Sequence, residues 1–119
     1  MIERYGEDVM EIYTRKEKGA VIVSVKGRID ALTAPEFERN LCDWISKGGI
    51  IFLINFTQLE YISSAGLRSI LATSKKLKEK QGTILFTGLQ GPVEEVFNIS
   101  GFQSIFKIFA SEEAALKEI

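Results

Sequence analysis

The chain has 119 residues and a formal net charge of −1, with 45% hydrophobic and 26% charged residues, the balance of an ordinary globular domain. This charge leaves no basic surplus for binding nucleic acid or an anionic membrane surface. The single cysteine, Cys42, excludes an internal disulfide, and the absence of histidine removes the commonest general base and metal ligand.

No targeting segment is evident in the sequence. The N-terminus lacks an apolar signal core, and the longest apolar run, residues 50–54, is far too short to cross a bilayer. We therefore expect a cytoplasmic protein with one domain over residues 1–119, which binds neither nucleic acid nor membrane.

The first half of the chain predicts a hairpin, a helix and a buried strand. Two apolar-rich runs, 9–14 and 20–25, flank a polar turn with a glycine and predict a β-hairpin, and residues 1–8 before it are expected to form a loose extension. Thr33 can then cap a helix. The run 50–56 is apolar except for one asparagine, which is typical of a central strand covered on both faces.

The second half alternates helices with strands. An amphipathic helix is predicted to begin at Ser63-Ser64. It is followed by a strand over 83–87, a short helix from Gly91, a strand over 105–109 and a terminal helix. The order β-β-α-β-α-β-α-β-α predicts an α/β fold, with an N-terminal hairpin, a mixed and mostly parallel sheet and about four helices.

The residues that could form a functional site are concentrated at the start of the second helix. The sequence has no phosphate-binding loop, dinucleotide-binding turn or nucleophile elbow, so an enzyme is disfavoured. Ser63 and Ser64 place two hydroxyls at a helix N-terminus, where free N–H groups carry partial positive charge. On spacing alone, N-capping by one serine is the commoner explanation, and a phosphorylation site is the alternative, because helix N-termini accept anions.

Four stretches resemble the bacterial anti-sigma-factor antagonists of the STAS family, in the order and spacing of that family. They are residues 27–30, 50–56, 61–71 and 96–102. The resemblance covers the chain from about Val9 to its end and implies a STAS-like fold.

The resemblance also implies the site residues. Alignment on Gly66 places the family's phosphorylated serine on Ser64, and Ser63, which stands where the family usually has aspartate, is the less favoured acceptor. With these three residues, Asp30 and Arg68 complete the partner-binding set. Asp30 can also be interpreted as a turn residue that caps local N–H groups, and Arg68 can be interpreted as a solvated surface arginine.

The function that the resemblance implies is partner switching. The unphosphorylated protein would bind an anti-sigma factor that is also a serine kinase, and so release a sigma factor. Phosphorylation at Ser64 would reverse this binding, and a serine phosphatase would restore it. The protein would be a monomer or weak dimer with no catalytic residue, cofactor or metal of its own. Two alternatives remain, a STAS scaffold in a signalling assembly and a module that senses a nucleotide or another anion.

Overall fold

The computed structural model describes residues 1–5 and 9–119. Within them the chain forms seven strands in one sheet and five helices. The strands are β1 (Ile2–Tyr5), β2 (Met10–Glu17), β3 (Ala20–Ile29), β4 (Ile51–Asn55), β5 (Leu59–Ile62), β6 (Thr83–Thr87) and β7 (Lys107–Phe109). The helices are α1 (Ala34–Ser46), α2 (Ser64–Glu79), α3 (Gly91–Ser100), α4 (Phe102–Ile105) and α5 (Glu112–Leu116).

The sheet is mixed, and most of its strand pairs are parallel. Its order is β1-β2-β3-β4-β6-β7, and β5 pairs with β3 off this path. The pairs β1/β2 and β2/β3 are antiparallel, whereas β3/β4, β3/β5, β4/β6 and β6/β7 are parallel. The predicted α/β class with an N-terminal hairpin and a mostly parallel sheet is therefore confirmed.

The N-terminal segment differs from the loose extension that the sequence predicted for residues 1–8. Ile2–Tyr5 forms β1, which pairs with β2, while residues 6–8 lie outside the described residues. The Glu3 carboxylate on β1 accepts a hydrogen bond at 2.6 Å from Nδ2 of the buried Asn40 on α1. This polar anchor joins segments that are distant in sequence, so apolar periodicity could not reveal it.

Two short elements, β5 and α4, were not predicted. The residues of β5 are buried only at its two ends, three positions apart, so they do not show the two-residue period of a half-buried strand. Helix α4 ends at Ile105, so the last strand begins at Lys107 instead of residue 105, and the chain has five helices where about four were expected.

The core lies mainly on one face of the sheet, under α1, α2 and α3. Phe56 and Phe86 on that face pack against Phe97 of α3, with ring centroids 5.4–6.2 Å apart. A smaller cluster on the opposite face joins β3, β4 and β6 to α5. In residues 1–5 and 9–119 no helix is both long enough and apolar enough to cross a membrane.

Candidate functional site

The predicted site residues meet where β3 and β5 end. These strands are parallel and adjacent, with Ile29 opposite Ile62. The next residue after β5, Ser63, donates its backbone N–H to the Ile29 carbonyl at 2.8 Å. The backbone thus brings Asp30, at the end of β3, beside the serine pair that begins α2.

The two serines have different environments. Ser63 is the N-cap of α2: its extended backbone precedes the helix, and its Oγ accepts the Gly66 N–H at 3.4 Å. Ser63 is half-buried, whereas Ser64, the first residue of the helix, is exposed. The capping interpretation therefore applies to Ser63, and Ser64 presents the accessible hydroxyl.

Gly66 allows α2 to pack closely against the strand ends. It is buried, and a Cβ at this position would lie 2.6 Å from Ile62 Cγ1 and 2.8 Å from Ile29 Cγ2. Both distances are shorter than side chains allow, so any larger residue must displace the two isoleucine side chains or the elements that carry them. Gly66 therefore acts in packing, and it lacks the exposed surface that the predicted partner contact requires.

Asp30 organises the turn between β3 and α1. Its Oδ1 accepts the backbone N–H groups of Leu32 and Thr33 at 3.0 and 3.1 Å. The bond from the Thr33 N–H is the largest cause that holds the pKa of Asp30 below its usual value; the Leu32 N–H and the nearby Arg28 charge act in the same direction, while burial opposes them. Asp30 is thus an ionised turn residue at the site.

Thr33 stands at the N-cap position of α1, as predicted, but its hydroxyl does not cap the helix. It accepts the Asp30 backbone N–H at 2.9 Å and lies 3.0 Å from the Arg28 carbonyl oxygen. These bonds tie the turn back to the end of β3. The side chain of Leu32 at the tip of this turn is left 84% exposed.

The sequence did not identify Arg28 and Tyr61 as site residues, although they flank the site. They lie opposite each other on β3 and β5, with the guanidinium carbon 4.4 Å from the ring centroid. Arg28 Nε also lies 3.8 Å from Asp30 Oδ2. The spacing of Arg28, two residues before Asp30 on a strand, could have indicated that the two side chains share a face.

Arg68 lies one turn along α2 from Ser64, as its spacing predicted, and its side chain is exposed. It lines an open groove of about 490 Å³ between α1 and α2. The other lining residues are small or polar, namely Ala31, Ala34, Pro35, Glu38, Ala65, Ser69 and Ala72. The structure therefore brings Asp30, Ser63, Ser64 and Arg68 to one surface.

This surface is better suited to recognition than to catalysis. It includes an exposed hydroxyl at a helix N-terminus, the carboxylates of Asp30 and Glu38, two arginines and an exposed leucine. In the described part of the chain, no group of three acidic or cysteine side chains is arranged to hold a metal ion.

Comparison with known proteins identifies the class. The STAS domain model matches residues 11–115, so the chain belongs to the STAS domain family. BtrV of Bordetella bronchiseptica, provisionally named as an anti-sigma factor antagonist, is 38% identical over 89% of this chain and 91% of its own length. The anti-sigma-B factor antagonist of Listeria monocytogenes is 33% identical over 72% of this chain and 75% of its own.

Solved structures share the fold. An anti-sigma factor antagonist from Mycobacterium paratuberculosis superposes with a TM-score of 0.84 at 24% identity, covering 96% of this chain and 97% of that one. The Bacillus protein SpoIIAA in its phosphorylated form superposes with a TM-score of 0.71 at 19% identity, covering 90% of this chain and 97% of that one. At these identities the likeness establishes the fold alone.

Proposed function

We propose that this protein is an anti-sigma factor antagonist whose binding is switched off by phosphorylation of Ser64. The observation that carries the proposal is the exposed Ser64 hydroxyl at the start of α2, beside the ionised Asp30. The names of the relatives from Listeria and Bordetella, which match most of the chain, support it. The SpoIIAA structure adds that a protein of this fold exists in a phosphorylated form.

In the unphosphorylated state, the partner covers the surface around Ser64. The partner is an anti-sigma factor with serine kinase activity, which gives up its sigma factor when this protein binds. Two features border the same surface: the turn that Asp30 holds, and the side chain of Arg68 on α2. This protein acts as a binder and a substrate, and the catalytic groups are those of the kinase and of the serine phosphatase that restores the unphosphorylated form.

Phosphorylation reverses binding through charge. A phosphate adds about −1.5 to −2 charges at neutral pH beside the existing carboxylate of Asp30. The helix N-terminus accepts this anion, so the antagonist itself does not need to refold. A partner surface shaped for a neutral hydroxyl must instead desolvate a charge for which that surface offers no counter-ion, at a cost on the order of several kcal/mol.

The test is calorimetric titration with the cognate anti-sigma factor, identified by capturing kinases from native lysate on the unphosphorylated protein. Ser64→Ala should bind with the affinity of the wild type, and Ser64→Asp should bind at least about tenfold more weakly, which corresponds to about 1.4 kcal/mol. Ser104→Asp is the matched control, because Ser104 is exposed on α4 beside the edge strand β7. Equal affinities for Ser64→Asp and Ser104→Asp would contradict the proposal.

A further inference from the structure

We infer that Arg28 is the counter-ion of a phosphate on Ser64, and that phosphorylation moves its guanidinium from the Tyr61 ring to the phosphate. This inference rests on the proposed phosphorylation of Ser64. It adds two things to that proposal: a partner for the phosphate within the same chain, and a movement of the Arg28 side chain when Ser64 is phosphorylated.

The strand register places Arg28 within reach. Arg28 is opposite Tyr61 on β5, and Ser64 lies three residues beyond Tyr61, at most roughly 10 Å further along the chain in extended geometry. The Ser63 N–H bond to the Ile29 carbonyl keeps the two chain segments adjacent up to the start of α2. A long arginine side chain on β3 and a phosphoserine side chain on α2 that extend towards each other can together span this separation.

The present contacts of Arg28 are weak enough to be exchanged. Its side chain is 50% exposed, and its Nε lies 3.8 Å from Asp30 Oδ2, beyond hydrogen-bond distance. The stacking contact with Tyr61 joins two exposed side chains, where cation–π attraction is small. A phosphate offers three acceptor oxygens, which suit the two parallel N–H groups of a guanidinium and form stronger, charge-assisted bonds.

The neighbouring carboxylate favours a cation close to the phosphate. Asp30 cannot turn away from a phosphate, because its Oδ1 is held by the Leu32 and Thr33 N–H groups. A guanidinium between the carboxylate and the phosphate reduces the repulsion between them, and Arg28 already borders that carboxylate. Of the other charged side chains nearby, Glu60 is on β5 next to Tyr61, whereas Arg68 and Glu38 line the groove between α1 and α2.

The experiment measures the second pKa of the phosphate by ³¹P NMR. Phosphoserine is installed at position 64 by genetic code expansion, so the measurement does not depend on the native kinase. An adjacent cation favours the dianion, so Arg28→Gln should raise the phosphate pKa, which is near ~6 for free phosphoserine, by about 0.5 unit or more. Lys26→Gln is the matched control, because Lys26 is exposed on β3 and its loss changes the net charge equally.

The competing arrangement is tested by Arg68→Gln. If Arg28 is the counter-ion, Arg28→Gln should shift the phosphate pKa more than Arg68→Gln or Lys26→Gln does. Arg28→Lys should shift this pKa less than Arg28→Gln does. An Arg28→Gln protein that titrates like Lys26→Gln, or a larger shift in Arg68→Gln, overturns the inference.

A second readout follows the ring of Tyr61. Its proton resonances should change between the serine and phosphoserine forms of the wild type, and much less between the same forms of Arg28→Gln. Equal changes in both proteins count against movement of the guanidinium. Because the phosphate is installed synthetically, failure of the native kinase to modify Ser64 would refute the proposed function while leaving both measurements valid.

Discussion

The adjacent serines show how one position along the chain changes the chemistry of a hydroxyl. The Ser63 oxygen accepts the N–H of Gly66, as an N-cap does, and Ser63 is half-buried. Ser64 has entered the helix, and its side chain faces solvent. A kinase needs an accessible hydroxyl, whereas the helix needs a capping oxygen, so the two requirements fall on different residues.

This division predicts opposite phenotypes for the two alanine variants. Ser64→Ala should abolish phosphorylation by the cognate kinase with little change in the free energy of unfolding. Ser63→Ala should still be phosphorylated but should lose about 1 kcal/mol of stability, because an N-cap is removed. Mass spectrometry measures the phosphate, and urea unfolding measures the stability. Full phosphate incorporation in Ser64→Ala would show that the acceptor has been assigned to the wrong residue.

Among the structural elements, α2 is positioned by buried contacts along its whole length, beginning with its first turn. The buried Gly66 sits against Ile29 and Ile62, the residues with which β3 and β5 end. Further along the helix, Ile70 and Leu77 are buried in the main core, and Ser69 Oγ donates to the Ala34 carbonyl of α1 at 3.2 Å. The direction in which Ser64 is presented therefore depends on how closely α2 approaches the sheet.

Gly66→Ala should destabilise the protein by about 1–3 kcal/mol, because the added methyl group overlaps the two isoleucines. The loss would occur although alanine favours a helix over glycine by about 1 kcal/mol. Ser74→Ala, at a half-buried position of the same helix, is the control for propensity without such a clash. Urea unfolding of the three proteins checks this, and a Gly66→Ala protein as stable as Ser74→Ala would mean that the close approach is not required.

For the whole molecule, the proposed switch would change the surface and leave the fold constant. The site lies at the edge of a core that extends from the β1/β2 hairpin to α4. The phosphate would be added outside that core, at a helix end that favours negative charge. No element needs to be displaced for the charge to be accommodated.

Phosphoserine at position 64 should therefore leave the folded structure intact. Its thermal midpoint should stay within a few degrees of the unmodified protein, since a helix N-terminus contributes at most about 1 kcal/mol to a nearby anion at an exposed site. Amide chemical-shift changes should be confined to residues around the β3–α1 turn, the end of β5 and the first turns of α2. Changes that extend to β6, β7 or α5 would show that release proceeds through rearrangement of the fold.

The sequence alone determined the alternation of strands and helices and the location of the serine pair. Apolar runs, glycine-containing turns and the helix start signals at Thr33 and Ser63 are local patterns, and they predicted most elements correctly. The family resemblance then singled out Ser64 and Asp30. The predictions of the elements succeeded because each depends on neighbouring residues along the chain, whereas the roles assigned to Ser64 and Asp30 stay predictions.

The tertiary structure decided what depends on residues that are distant in sequence. It paired β1 with β2 and bonded the Glu3 side chain of β1 to Asn40 on α1. It also paired β5 with β3. It also buried Gly66, exposed Ser64 and set Arg28 between Tyr61 and Asp30. Burial and ion pairing arise from strand register and helix packing, because these bring together side chains that no local pattern relates.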